Sequence, residues 1–301
     1  MRISTNTIYQ TAIAKISELQ AAQSRLQQQI ASEKRILTPS DDPVAASRVL
    51  EIAQSKSMNT QYANNRQVAN THLTGLDNSL GSITEQLTVA RTTLVGNAGT
   101  LSNDQRAVLS INLKASLSTL VGFANAKDAS GKYMYAGFQS DTQPFTATAT
   151  GATYNGDSNQ LFLQVADQRK MAVSVAGDSV FKAGGNDIFQ TYSDLTAVLD
   201  NPASTEADVT NAVATALASM DSAIKTVANT RSAVGSKLNE LGALNESGDS
   251  RELQYAQAMS ELQDLDYAQA LSDLSQQQII LEAAQKSFIQ TSGLSLFKFI
   301  G

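Results

Sequence analysis

Apolar residues recur at intervals of three and four over most of this chain, a spacing that predicts helix. The first such stretch runs from about Ile3 to Leu37. Tyr9, Ala12, Ile16, Leu19, Gln23, Leu26, Ile30, Glu33 and Leu37 form a narrow seam that polar residues interrupt. Pro39-Ser40-Asp41-Asp42-Pro43 then breaks the period. Asp42 fits a helix N-cap and Pro43 the first helical turn, where a missing N–H costs nothing. A second long helix is expected beyond it, carrying Leu73, Leu76, Leu80, Ile83, Leu87, Ala90 and Leu94 in unbroken heptad spacing and ending at Gly96 and Gly99. A third fits Asp104 to about Ala126, with Leu109, Leu113, Leu117, Leu120 and Ala124 on one face.

From Gly131 to about Gly185 the helical period disappears, and Thr and Gly become frequent. Leu161–Val165 and Met171–Val175 read as strands, with Asp167-Gln168-Arg169 as the turn between them. Asn155-Gly156-Asp157, Gly177-Asp178 and Gly184-Gly185-Asn186 read as further turns. Helical spacing returns after Asn186 in Val213, Leu217, Met220, Ile224, Val227, Arg231, Val234, Leu238 and Leu241. It loosens at Glu246–Ser250. It resumes in a last helix from about Arg251 to Thr291, with Tyr267, Leu271, Leu274, Gln278, Leu281, Gln285 and Phe288 on its seam. An apolar tail, Leu294, Leu296, Phe297, Phe299 and Ile300, follows Gly293.

This order predicts a mainly α protein: a long coiled-coil-like helical bundle formed by both chain ends, with a small inserted β domain. The expected division is 1–42 with 265–301 as a terminal assembly domain, 43–130 with 187–264 as a helical bundle, and 131–186 as the β insert. For Leu73–Leu94 an intramolecular core is expected. For the terminal seams, subunit contacts are expected through Ile16, Leu19, Leu26, Ile30, Tyr267, Leu271, Leu274, Leu281, Phe288, Leu294 and Leu296. A buried Leu is worth roughly 1.5–3 kcal/mol, and an isolated helix pair leaves half of each seam wet. The two ends are therefore expected to order fully only when neighbouring subunits complete their cores.

Composition narrows the function. The 301 residues are 42% hydrophobic but only 6% aromatic, with no Trp, which suits long helices with small seams. A net charge of −6 offers no basic face for nucleic acid and disfavours an anionic membrane surface. Cys is absent, which excludes disulfides and thiolate chemistry and suits a protein that leaves the cell without oxidative folding. Met1–Gln10 is polar and lacks the apolar core of a secretory signal, and no run was expected to reach the length of a membrane span.

Candidate chemistry is sparse. His72, the only histidine, sits at the rim of the Leu73 seam and no nucleophile-elbow pattern accompanies it, so it reads as a helix-surface residue. Asp41 and Asp42 read as capping residues. Asp264 and Asp266 are expected on one helix with no His or Glu at the spacing that would complete a ligand set. Gly184-Gly185-Asn186 lacks the Lys-Ser/Thr of a phosphate loop. No catalytic, cofactor-binding or metal-binding residue is assigned.

Several segments carry a resemblance. Near the start these are Met1-Arg2-Ile3-Ser4, the motif Pro39, Ser40, Asp41, Asp42, Pro43 with Val44-Ala45-Ala46, then Gln61-Tyr62 and Asn64-Asn65. Near the end they are Asp266-Tyr267-Ala268-Gln269-Ala270-Leu271, Leu274-Ser275-Gln276-Gln277-Gln278, Leu281-Glu282-Ala283-Ala284-Gln285 and Leu294-Ser295-Leu296. In these the chain resembles the flagellin superfamily. Gly131-Lys132-Tyr133-Met134-Tyr135-Ala136-Gly137-Phe138, Asp141-Thr142-Gln143-Pro144-Phe145 and Tyr154-Asn155-Gly156-Asp157 are similar to its hook–filament junction members rather than to the filament protein. The resemblance implies a non-enzymatic structural subunit of the bacterial flagellum, secreted and extracellular. It implies a short ring of copies between the first hook-associated junction protein and flagellin, with terminal helices lining a central channel and the β part pointing outward. It also implies passage through the flagellar type III export channel, held beforehand by an export chaperone that recognises the C-terminal helix. A flagellin, a secreted tip or adhesin protein, and an enzyme built on the β insert are the competing readings.

Overall fold

The structure, a computed structural model, describes the backbone of residues 2–97 and 99–300 and the side chains of residues 7, 9–97 and 99–291. The elements run α1 (Arg2–Ser32), α2 (Pro43–Gly96), α3 (Asn103–Ala124), β1 (Phe145–Thr148), β2 (Gly151–Tyr154), β3 (Phe162–Ala166), β4 (Arg169–Ala172), α4 (Gly177–Phe181), a 3-10 turn (Ala183–Gly185), α5 (Ile188–Asp200), α6 (Glu206–Gln263) and α7 (Tyr267–Ile300). Two compact units emerge, Met1–Met58 with Ser250–Gly301, and Asn59–Asp249.

In the central unit the heptad reading of α2 holds: Leu73, Leu76, Leu80, Ile83, Leu87, Ala90 and Leu94 are all buried. They meet Leu109, Leu113 and Leu120 of α3, Leu195 and Leu199 of α5, and Val213, Met220, Val227, Val234 and Leu241 of α6 in one core. Helix α3 starts at a capping box, in which Ser102 and Gln105 bond each other's backbone N–H. By length and composition α3 could cross a membrane, which corrects the expectation that no run reaches that length. Its Leu109, Leu113, Leu120 and Ala124 face the protein core instead.

Helices α2 and α6 run antiparallel, tied by polar pairs between them. Asn59 Nδ2 donates to Gly248 O (2.9 Å), Arg66 Nε to Asn245 Oδ1 (2.6 Å) and Arg231 Nε to Asp77 Oδ1 (3.0 Å), and Arg91 pairs with Asp221. Arg231 thus occupies a seam position because a carboxylate waits across it. The loosened pattern at 246–250 has the same kind of cause. Arg66 is 2% exposed and its Nη1 also donates to Val165 O (3.1 Å). A Cβ on Gly248 would stand 2.3 Å from Arg66 Nη2. Contrary to expectation the helix does not break there, because this buried cation and its partners take the place of apolar packing. The break falls at 264–266.

The β part is two separate antiparallel hairpins, β1 with β2 and β3 with β4. The β3–β4 pair matches the expected strands to within three residues, β4 ending at Ala172 rather than Val175, and the bend is Asp167-Gln168, with Arg169 already in β4 opposite Ala166. The β1–β2 hairpin was not anticipated. Its four-residue strands, Phe-Thr-Ala-Thr and Gly-Ala-Thr-Tyr, carry too little alternation to register. Gly177-Asp178, expected as a turn, opens α4. The hairpins sit on an aromatic knot: Phe145 lies 5.0 Å from Tyr154, 5.1 Å from Phe181 and 5.0 Å from Phe189 between ring centroids. Phe145, Val165, Met171 and Phe181 belong to the same core as Leu73.

Tyr135 adds an edge contact to Phe181 and donates its hydroxyl to Ser79 Oγ (2.9 Å). Burial pushes the Tyr135 hydroxyl pKa well up, and it pushes that of Tyr154 up to about 12. Gly137 explains its place in the Tyr133–Phe145 block. Its φ is +68°, and an added Cβ would stand 2.2 Å from Asp157 Oδ1.

Candidate assembly interface

In the chain-end unit α1 and α7 pair as an antiparallel hairpin. Tyr9 packs edge-on against Phe288 at 5.6 Å, and at the other end the Tyr267 hydroxyl donates to Ile30 O (2.9 Å). On α1, Leu26 is buried, and Tyr9, Ala12, Ile16, Leu19, Gln23 and Ile30 are half-buried, so the expected stripe faces α7 from Tyr9 to Ile30. Its last two expected positions, Glu33 and Leu37, fall beyond the helix, which ends at Ser32. On α7 the inward positions are Ala270, Leu274, Gln277, Leu281, Ala284 and Phe288. Three residues of the expected α7 seam are not covered by α1: Leu271 is 53% exposed, Gln278 is exposed, and Tyr267 is 42% exposed although its hydroxyl reaches Ile30 O. Gln277 takes the inward place, with its Oε1 buried and without a hydrogen-bond partner among the described residues. The backbone helix continues past Gly293, where a separate tail was expected, and the side chains of Leu294 and Leu296 lie outside the described residues.

The hairpin remains open on its outer side. A groove of about 280 Å³ between the helices is lined by Tyr9, Ala12, Ile16, Ala284 and Phe288 among others. Ile13, Ile279, Ile280 and Ile289 are exposed. Two helices can cover each other along only one stripe, so every apolar side chain off that stripe meets water.

The Pro39–Pro43 motif sits where α1 hands over to α2. Helix α1 ends on Glu33, whose φ is +61°, and two backbone bonds close the cap: Glu33 N to Ile30 O (3.4 Å) and Lys34 N to Gln29 O (3.2 Å). Asp41 then holds the turn. Its Oδ2 accepts from Leu37 N (2.9 Å) and Thr38 N (3.0 Å), and it pairs with Arg25 of α1. The backbone N–H groups of Thr38 and Leu37, with a smaller part from Arg25, hold its carboxyl below the ordinary carboxylate range. Ser40 meets the Thr38 hydroxyl at 2.8 Å. Asp42 caps α2 by accepting from Ala45 N (3.0 Å), which leaves Pro43 in the first turn as expected.

At the same level the outgoing chain leaves α6. Asp264 and Asp266, expected on one helix, stand in the break. Asp264 pairs its backbone with Lys34 in an antiparallel bridge, and Asp266 caps α7 by accepting from Gln269 N (3.1 Å). A sequence signal for this break existed in Asp266, an N-cap type residue three positions before Gln269.

His72 behaves as a half-exposed helix residue, with Nδ1 3.5 Å from Asp128 Oδ2. That carboxylate is committed to its own loop, accepting from Ser130 N (2.8 Å) and Lys132 N (3.0 Å). No serine hydroxyl bonds His72 among the described residues, and none of these holds a cluster of three potential metal ligands.

Comparison with known proteins agrees with this architecture. Residues 3–140 match the bacterial flagellin N-terminal helical region, and residues 217–299 match the bacterial flagellin C-terminal helical region. The chain is 31% identical over 316 residues to flagellar hook-associated protein 3 of Escherichia coli K12, covering 99% of both chains. It is 31% identical over 317 residues to the protein of the same name from Salmonella typhimurium LT2, again over 99% of both. The fold matches a solved structure of a putative flagellar hook-associated protein from Vibrio parahaemolyticus, with TM-score 0.68 and 21% identity over 74% of this chain and 100% of that one. It also matches the flagellar junction protein FlgL from Legionella pneumophila, with TM-score 0.61 and 20% identity over 72% and 100%. The flagellin-like helical regions thus define the class of protein. Within it, this chain belongs to the family of flagellar hook-associated protein 3.

Proposed function

We propose that this chain is the structural subunit that joins the flagellar hook, through the first hook-associated protein, to the flagellin filament. The observation that carries this reading is end-to-end similarity, 31% identity over 99% of both chains, to proteins named for hook association. Its partners are flagellin, the first hook-associated protein, further copies of itself in a ring and, before export, a flagellar chaperone. Its place is outside the cell at the hook–filament junction, and its role is mechanical rather than catalytic.

The assembly contacts are assigned to the terminal hairpin. Ile16, Leu19, Leu26, Ile30, Leu274, Leu281 and Phe288 set the pairing of α1 and α7. The exposed Tyr267 and Leu271, with Ile13, Ile279, Ile280 and Ile289, are the surface that neighbouring subunits cover.

Deleting the gene tests the reading, with flagella viewed by electron microscopy and flagellin assayed in the medium. Bare hooks with soluble flagellin in the medium are expected, because export proceeds while the filament has no platform. Intact filaments would overturn it. Bare hooks without soluble flagellin would instead identify a filament protein or an export defect.

A further inference from the structure

A two-stranded sheet has two edges, and each edge carries backbone groups that can pair with a foreign strand. In both hairpins of the central unit, side chains engage those edges. Asn125, at the C-terminal cap of α3, pairs in both directions with the Phe145 peptide group on β1. Its Nδ2 donates to Phe145 O (2.8 Å), its Oδ1 accepts from Phe145 N (2.9 Å), and Gln143 Nε2 adds a second donor to Phe145 O (2.9 Å). Lys182, which ends α4, donates to Ala152 O on β2 (3.1 Å). Asn65 Nδ2 of α2 donates to Gln164 O on β3 (2.7 Å), and Lys237 Nζ of α6 to Ala172 O on β4 (3.0 Å).

The β3 edge is the one whose sequence invites pairing. Residues 160–166, Gln-Leu-Phe-Leu-Gln-Val-Ala, hold no charge, no Pro and no Gly, the composition of a segment that stacks on copies of itself. Val173 N donates to Leu161 O (2.8 Å), so these two residues form a hydrogen-bonded pair. The alternation of an antiparallel ladder then turns the peptide groups of Phe162 and Gln164 outward, away from β4. The Phe162 side chain is 60% exposed and that of Leu161 43%.

Those two outward groups complement themselves. In an antiparallel pair centred on Leu163, Phe162 of one copy meets Gln164 of the other, and the reverse, so the contact closes on itself. Asn65 stands on the Gln164 carbonyl that this pairing needs. Just beyond, a bulge between Gln164 and Ala166 bends the strand, and Arg66 Nη1 holds Val165 O (3.1 Å). Gln164 turns its own amide back onto Ala166 O (2.9 Å). We propose that Asn65 guards this edge, and that without it β3 pairs with β3 of a second copy of the chain. Both residues of the guard contact lie in the central unit, so it is independent of the junction role.

Sedimentation velocity of the full-length protein at matched concentrations provides the test. Asn65→Ala is expected to raise the associated fraction at least tenfold over the unsubstituted chain. Asn65→Ser, too short to reach Gln164 O, is expected to behave in the same way. Phe162→Lys, added to the Asn65→Ala chain, is expected to return the associated fraction to its starting value, because a charge at this exposed edge position opposes strand addition. Hydrogen exchange read by mass spectrometry locates the contact: residues 160–166 are expected to exchange more slowly in the associated Asn65→Ala protein than in its monomer. An Asn65→Ala protein as monomeric as the unsubstituted chain overturns the proposal. So does association that Phe162→Lys leaves unchanged, or that leaves residues 160–166 unprotected, since either would mark general unfolding rather than an opened edge.

Discussion

In the central unit Leu73, Leu80, Ile83 and Leu94 of α2 are fully buried. In the chain-end unit the same spacing of three and four leaves Leu26 as the one buried side chain among the described residues of α1, and Ala270 as the one on α7. The difference is one of partners rather than of pattern. The α2 seam meets α3, α5, α6 and the aromatic knot around Phe145. Among the described residues the α1 seam packs chiefly against α7. A helix face becomes a core when it is surrounded, and two helices cannot surround each other. One unit is surrounded within a single chain, and the helix pair of the other keeps an uncovered apolar face.

This contrast can be broken most severely at the level of local opening. Backbone amides of α2 around Leu80 are expected to exchange with solvent at least 100-fold more slowly than those of α1 around Leu19 in the dilute protein, because α1 opens without disturbing the central core. Equal protection, read by hydrogen exchange and mass spectrometry, would erase the distinction. Next in size, Leu80→Ala is expected to cost about 2–5 kcal/mol in denaturant unfolding of the central unit. Leu281→Ala, at a half-buried site, is expected to leave that transition in place.

Gly248→Ala is expected to destabilise the central unit by about 1–3 kcal/mol, since the new methyl displaces the buried Arg66 guanidinium. An unchanged midpoint would show that Arg66 can move aside. In the chain-end unit the direction reverses. Gln277→Leu removes a buried, unpartnered oxygen from the seam. It is expected to stabilise the α1/α7 hairpin by about 1–2 kcal/mol, measured by exchange of its amides.

The smallest effect concerns pH. Asp41 has a folded pKa below its unfolded value, so its contribution is present above the unfolded pKa of about 3.9 and is lost as pH falls through the lower folded value. The Leu37 and Thr38 amide resonances are expected to keep their positions from pH 7 to 5 and to shift only in stronger acid. Asp41→Asn should abolish that titration.

Much of this molecule could be read before its fold was known. The heptads of α2, the caps at Asp42 and Pro43, the face of α3 and the α1 stripe from Tyr9 to Ile30 all follow from spacing that repeats over many turns. Shorter elements escaped. The four-residue strands β1 and β2 hold too few alternations to stand out, and Gly177-Asp178 reads as a turn because α4 is five residues long. Two misreadings had a common origin in polar residues on a helical stripe. Glu246–Ser250 looked like a break because Arg66, far away in sequence, fills the space beside Gly248. Gln278 was placed on the seam, where Gln277 actually points inward.

The sequence alone determined that two helical ends flank a β-containing middle and that the middle of α2 is a core. Those conclusions rest on local periodicity and composition, which need no knowledge of what lies opposite. Tertiary structure decided that α6 runs on through residues 246–250, why Arg66 is buried and Arg231 sits in a seam, which side of α7 faces α1, and that Lys34 meets Asp264. Each depends on a group more than a hundred residues distant, and spacing along one helix carries no record of what packs across it.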